Sequence, residues 1–254
     1  MSIEHTPLRI ATVQAGLGVP STTARLATIL EEALVNDARA AGLEPSLTRI
    51  NVREIATAVT EATVTGFASE TVESALEAAR DADLLIAVTP TFNASYSGLF
   101  KAFFDLLDSE AIARTPVILG ATGGTARHSL VIDMAMRPLF SYLRAIPVPT
   151  SVFVASEDFS SPGGAGSISA RATRVAGEAL ALFGSRNAHA GNAGAPAKEG
   201  TTESGGREGS AKRGSDGGQA TVGTANPEVL HSPAGDFTAF DRIAKKLSGN
   251  ETER

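Results

Sequence analysis

Between residues 8 and 183, five short runs of apolar and β-branched residues recur, each followed by a longer amphipathic stretch. No other feature constrains the fold as much. Strands separated by helical segments pair side by side as a parallel sheet, with the helices packed on its two faces. The expected strands are 8–14, 46–52, 83–89, 116–121 and 150–155. The expected helices are about 21–41, closed by Gly42, then 70–80, 97–107, 129–144 and 167–183. The run DLLIAVT at 83–89 is apolar at almost every position, the mark of a strand covered on both sides.

Five strands suit the doubly wound, flavodoxin-like order 2-1-3-4-5 better than the six-stranded dinucleotide-binding order. In such a sheet a ligand sits outside the carboxyl ends of the strands, where the strand order switches. Here that point lies between strands 1 and 3. The loops after strands 1, 3 and 4 are therefore the places to look for chemistry.

Composition bounds the domain. From Ser185 to Glu228 there is no Leu, Ile, Phe, Tyr or Met, and the wider stretch 184–235 holds 12 of the 25 glycines. Such a segment buries too little apolar surface to offset its ordering entropy, so 184–235 is expected to be a disordered linker. After it, Phe237, Phe240, Ile243 and Leu247 recur at helical spacing behind Asp236, and 236–254 is expected to hold a short terminal helix and tail. The folded domain is then 1–183. The chain has no Cys, which removes disulfides, thiolate metal sites and thiol catalysis. Its formal net charge of −6 argues against a nucleic-acid surface. No apolar run approaches the ~18–20 residues of a membrane span, and the N-terminus lacks the pattern of a signal peptide, so a cytoplasmic location is expected.

The first loop, Gln14-Ala-Gly-Leu-Gly-Val-Pro, leads into Ser21, Thr22 and Thr23 at a helix start. Free N–H groups and positive potential there suit a phosphate, although hydroxyls at that position also serve as simple caps. The glycine pattern GxGxxG fails at Ser21, which favours a terminal phosphate monoester over a bridging pyrophosphate. No Lys-Ser or Lys-Thr follows, so the loop is not a P-loop. In the second loop, Pro90 stiffens a turn and Ser95 or Ser97 caps the next helix, leaving Asn93 among aromatics. The third, Ala121-Thr-Gly-Gly-Thr-Ala-Arg-His128, has paired glycines that present main-chain donors without obstruction.

Taken together, these residues resemble NAD(P)H-dependent FMN reductases. The segment Pro90-Thr-Phe-Asn-Ala-Ser-Tyr-Ser-Gly-Leu-Phe-Lys-Ala-Phe-Phe-Asp105 is similar to that family's Pro-x-Tyr-x-x-Ser-x-x-Gly-x-x-Lys…Asp signature. Residues 121–128, followed by Arg137-Pro138, resemble its Thr-Gly-Gly…His…Lys/Arg-Pro block. The chain looks most like reductases paired with luciferase-like or alkanesulfonate-type monooxygenases.

The resemblance implies FMN with NADPH or NADH, and a homodimer or homotetramer. Ser21, Thr22 and Thr23 would hold the FMN phosphate, with Gln14 at the base of the loop. Many relatives carry Ser-Arg-Ser there, so Thr22 removes a cation. Pro90, Thr91, Phe92 and Asn93 would line the isoalloxazine, with Phe92 in place of the usual Tyr. Thr122, Gly123 and Gly124 would meet its pyrimidine edge.

No acid–base or nucleophilic set is evident, which fits chemistry carried by a cofactor. The four His (5, 128, 189, 231) are scattered, so no metal site is expected. His128 reads as a helix-start or interface residue or as a nicotinamide contact. Arg127 is a candidate for a 2′-phosphate. Lys101 and Asp105 read as a surface i,i+4 pair. Three functions follow: a reductase that supplies reduced FMN to a monooxygenase, a reductase of quinones, azo or nitro compounds that keeps its flavin, and a non-enzymatic electron carrier.

Overall fold

The structure is a computed structural model and describes residues 6–192. The terminal segment expected at 236–254, and the linker from 193 onward, lie outside the described residues. Strands β1 (Thr6–Gln14), β2 (Leu43–Asn51), β3 (Leu84–Phe92) and β5 (Pro116–Gly123) pair in parallel in the order β2-β1-β3-β5. The fifth position is shared by β6 (Ile146–Pro147) and β7 (Val152–Ala155), both pairing β5 in parallel. The expected order 2-1-3-4-5 is therefore present, with its last strand broken in two.

Chemistry at the break explains it. Pro147 and Pro149 have no N–H to donate to a ladder. The open carbonyls of Val148 and Pro149 instead accept from the Arg137 guanidinium, and the Thr150 N–H and hydroxyl donate to Glu178.

Side chains alternate along the strands, so the sheet has a core on each face. Ala11, Val13, Leu85, Ala87, Val117 and Leu119 face α3 (Glu70–Arg80), α4 (Gly98–Phe104) and α5 (Arg137–Tyr142). Leu8, Ile10, Ile86, Val88 and Ile118 face α1 (Thr22–Ala40) and α6 (Gly164–Asn192). The first face is aromatic. Phe104 lies 4.7 Å from Phe100 and 4.9 Å from Phe140, centroid to centroid. Each fully buried ring contributes about 1.5–3 kcal/mol of transfer free energy.

Four elements depart from expectation. Helix α2 (Ala56–Thr65) was not anticipated, because it carries four Thr and two Val and has no side-chain cap at Ile55. It forms because Val59 and Ala62 are buried; Thr60, Thr63 and Thr65 satisfy their hydroxyls on carbonyls four residues back, a contact that does not itself favour the helix. Strand β3 runs to Phe92 rather than stopping at Thr89, since it folds back as a hairpin onto β4 (Ser95–Tyr96).

The single helix expected at 129–144 is instead a 3-10 turn (Ala126–His128), a π turn (Ile132–Met136) and α5. The Arg137 N–H reaches back to Ile132 O, and Pro138, lacking an N–H, can only open the next helix. Helix α6 runs to Asn192 where the expected helix ended at Phe183, so 184–192 is helical and not part of a linker. Arg186 holds that extension by donating to Asp83 at the start of β3, 3.2 Å away. Among the described residues no helix is long and apolar enough to cross a membrane.

Candidate functional site

The C-terminal ends of β1, β3 and β5 lie side by side, and the three candidate loops leave from them. Gln14 closes β1. Its side-chain Oε1 accepts from Gly16 N at 2.9 Å, so it braces the loop. A Cβ on Gly16 would fall 2.1 Å from Ser21 Oγ and 3.0 Å from Thr23 Cβ, so the loop must fold tightly over the helix start. Ser21 caps α1, its Oγ accepting from Ala24 N at 3.1 Å. Thr22 is exposed. Thr23 is buried, and its hydroxyl lies 2.8 Å from that of buried Thr122. The two readings of Ser21–Thr23 thus divide by residue. Ser21 serves as a cap, Thr22 faces out, and Thr23 ties the first loop to β5.

The second loop is a hairpin. Asn93 and Ala94 both have positive φ, 47° and 68°, as the mirror-image two-residue turn requires. This accounts for Asn93, a residue that tolerates the left-handed region and holds the tip of the turn. Thr89 locks the base, its Oγ1 accepting from Ser97 N at 3.1 Å and donating to Pro90 O. Pro90 is buried opposite Thr122, and Phe92 is 46% exposed at the rim. Thr91 Oγ1 is shielded from solvent and has no hydrogen-bond partner in the protein.

In the third loop Gly123 is fixed by packing, since a Cβ there would lie 2.9 Å from the Phe153 ring. A Cβ on Gly124 would meet nothing within 4 Å. Arg127 is exposed on the 3-10 turn, and half-buried His128 backs Gly123. Neither reaches the Thr23–Thr122 pair by any hydrogen bond. No group of three metal-ligating side chains occurs among the described residues. Lys101 and Asp105 form the expected exposed ion pair.

Sequence reasoning missed Thr89, Ser156 and Arg25. Ser156 Oγ donates to Gly123 O at 3.3 Å, and the Arg25 guanidinium sits 4.6 Å from the Phe159 ring centroid. Ser156 and Phe159 belong to a 3-10 turn after β7, which only the sheet order brings to this rim.

The geometry defines an α/β protein with three polar, glycine-containing loops side by side at its strand switch. Residues 8–160 match the family described as NADPH-dependent FMN reductase. The chain is 37% identical to the NADH-dependent FMN reductase SfnE of Pseudomonas putida, covering 72% of this chain and 96% of that protein. It is 35% identical to the FMN reductase (NADPH) of Pseudomonas aeruginosa, covering 71% and 95%. Among solved structures, an oxidoreductase from Corynebacterium diphtheriae superposes with a TM-score of 0.67 at 41% identity, covering 71% and 98%. An NADH:FMN oxidoreductase in its apo form gives 0.58 at 27%, covering 66% and 87%. The chain belongs to the NADPH-dependent FMN reductase family, and its cofactors are FMN and NAD(P)H.

The residues present fit a flavin mononucleotide. Gly16 lets the first loop close onto the hydroxyl-bearing helix start, Thr91 Oγ1 has no partner in the protein, and a Cβ on Gly124 would meet nothing within 4 Å.

Proposed function

We propose that this reductase holds FMN across the ends of β1, β3 and β5 for the time of its reduction, then releases it to a flavin-dependent monooxygenase. The phosphate lies at Ser21, Thr22 and Thr23, where helix N–H groups and hydroxyls donate to it. Pro90, Thr91, Phe92 and Asn93 line the ring, and Thr122, Gly123 and Gly124 meet its pyrimidine edge. Thr91 Oγ1 then gains the partner it lacks, and Gly124 lets main chain approach the ring. Bound FMN supplies the acceptor for a hydride from the nicotinamide. The protein's part is orientation and charge, with Arg127 and His128 on the side from which the dinucleotide arrives.

One observation carries this reading. The 2.8 Å Thr23–Thr122 bond fixes the anion-binding turn against the strand that would read the ring. Exposure of Thr22, Phe92, Asn93 and Gly124 supports release, because no described residue covers this rim. The test is steady-state oxidation of NADPH and of NADH with free FMN as the varied substrate. Saturation in FMN is expected. Turnover by a tightly held flavin, independent of added FMN, would instead favour the quinone, azo or nitro reductase reading.

Self-association is part of the proposal. A groove of about 680 Å³ between α4 and α5, bordered by Tyr96, Phe104, Leu139 and the exposed Met134 and Tyr142, is the face a second copy would cover. Light scattering on the eluting protein should give a dimer or tetramer, and a monomer at micromolar concentration would remove this element.

A further inference from the structure

Charge at the start of α1 runs against the rule that α3 obeys. Helix α3 opens with Glu70 and Glu73 and ends with Arg80, as the helix dipole favours. The first turn of α1 holds no acidic side chain, and the first charge along it is Arg25, whose N–H bonds Ser21 O at 3.1 Å. A cation so near a helix N-terminus is unfavourable unless an anion sits beside it. No carboxylate among the described residues pairs with Arg25. Its guanidinium is stacked 4.6 Å from the Phe159 ring centroid, which fixes the side chain without neutralising it. The nearby Asp158 is already engaged, its Oδ2 accepting from Ala155 N at 2.8 Å.

We propose that Arg25 is the cation of the phosphate cradle, parked on Phe159 so that its charge faces the flavin's phosphate at Ser21–Thr23. The proposal rests on the placement of FMN given above. Long helical side chains lean toward the N-terminus, which carries the guanidinium from the fourth helical position back toward the hydroxyls. Arg25 is thus a specificity residue: it discriminates phosphorylated from unphosphorylated flavin and touches none of the atoms that change in the reaction. Phe159 has the positioning role, and it also couples the turn after β7 to the phosphate end of the site.

The experiment is equilibrium titration of the whole chain with FMN and with riboflavin, followed by flavin fluorescence at low and high salt. Arg25→Gln should weaken FMN about tenfold, the scale of one partly exposed charge-assisted hydrogen bond. Riboflavin affinity should be unchanged, and the salt dependence of FMN binding should flatten. Arg25→Lys should recover most of the loss, and Phe159→Ala should lie between. If Arg25→Gln leaves FMN within twofold, or weakens both flavins equally, Arg25 is not the phosphate's cation. If the unmodified protein itself binds FMN and riboflavin alike, the cradle is not a phosphate site, and the larger reading fails along with this one.

Discussion

The hydroxyls of Thr23 and Thr122, 99 residues apart in the chain, lie 2.8 Å from each other in the buried seam between α1 and β5. Removing one partner strands the other in a buried site, which costs about 1–3 kcal/mol, whereas replacing both with apolar groups of the same shape is nearly neutral. Thr23→Val and Thr122→Val should each lower stability by that amount in urea, and the double variant should recover most of it. FMN affinity should not recover in the double variant, because the seam then offers no hydroxyl. Parallel recovery of both quantities would mean that the pair is structural alone.

The glycines of the two loops separate fold from ligand. Gly16→Ala drives a methyl to 2.1 Å from Ser21 Oγ, so the turn must shift and both stability and FMN affinity should fall. Gly124→Ala meets no protein atom within 4 Å, so thermal unfolding should be unchanged while FMN weakens. An unaltered FMN titration for Gly124→Ala would place the ring elsewhere.

How much of this was legible in the sequence follows from range. The apolar run at 83–89 and the glycine at 42 are local signals, and β1, β5 and the first part of β3 lie where periodicity puts them, while the extension of β3 to Phe92 depends on its hairpin with β4. Helix α2 was invisible because its threonines are poor helix formers until tertiary packing of Val59 and Ala62 holds them. The hairpin at Asn93 is not legible in the sequence because its positive φ values are not written in residue type alone. Arg25 gave no signal, since Phe159 reaches it only through the sheet order. The C-terminal extent of α6 was hidden by a glycine- and alanine-rich composition, and its anchor, Arg186 on Asp83, is a contact across 103 residues.

Arg127 is exposed, on the 3-10 turn that follows β5. If it meets the 2′-phosphate, Arg127→Ala should lower kcat/KM for NADPH about tenfold and leave NADH within twofold, as expected for one exposed charge-assisted contact. An unchanged NADPH to NADH ratio rules out that role.

Two carboxyls make the fold sensitive to acid. Burial disfavours ionised Asp83, but hydrogen bonds from the Arg9 side chain and backbone, with the charges of Arg9 and Arg186, outweigh it and hold the carboxyl below its usual range. Hydrogen bonds from the Thr150 hydroxyl and N–H likewise hold Glu178 low, against burial and with help from Arg174 and Arg137. As pH falls, the unfolded chain takes up these protons first. The stability they contribute is therefore full above about pH 5 and disappears through about pH 4 and below. Urea midpoints for Asp83→Asn and Glu178→Gln should be lower than the parent's at pH 7, and the gap should narrow as pH falls below about 4. A gap that does not change with pH on going from neutral into the acid range would mean that ionisation is not what these groups contribute.

The central claim is the position of FMN at the strand switch, and backbone amide shifts during an FMN titration of the labelled protein read it directly. The largest changes should fall on residues 16–19, 21–23, 91–94 and 122–125, with β2 and the N-terminal ends of the strands unmoved. Shifts concentrated in the α4–α5 groove or at the sheet's opposite edge, with those three loops silent, would contradict it.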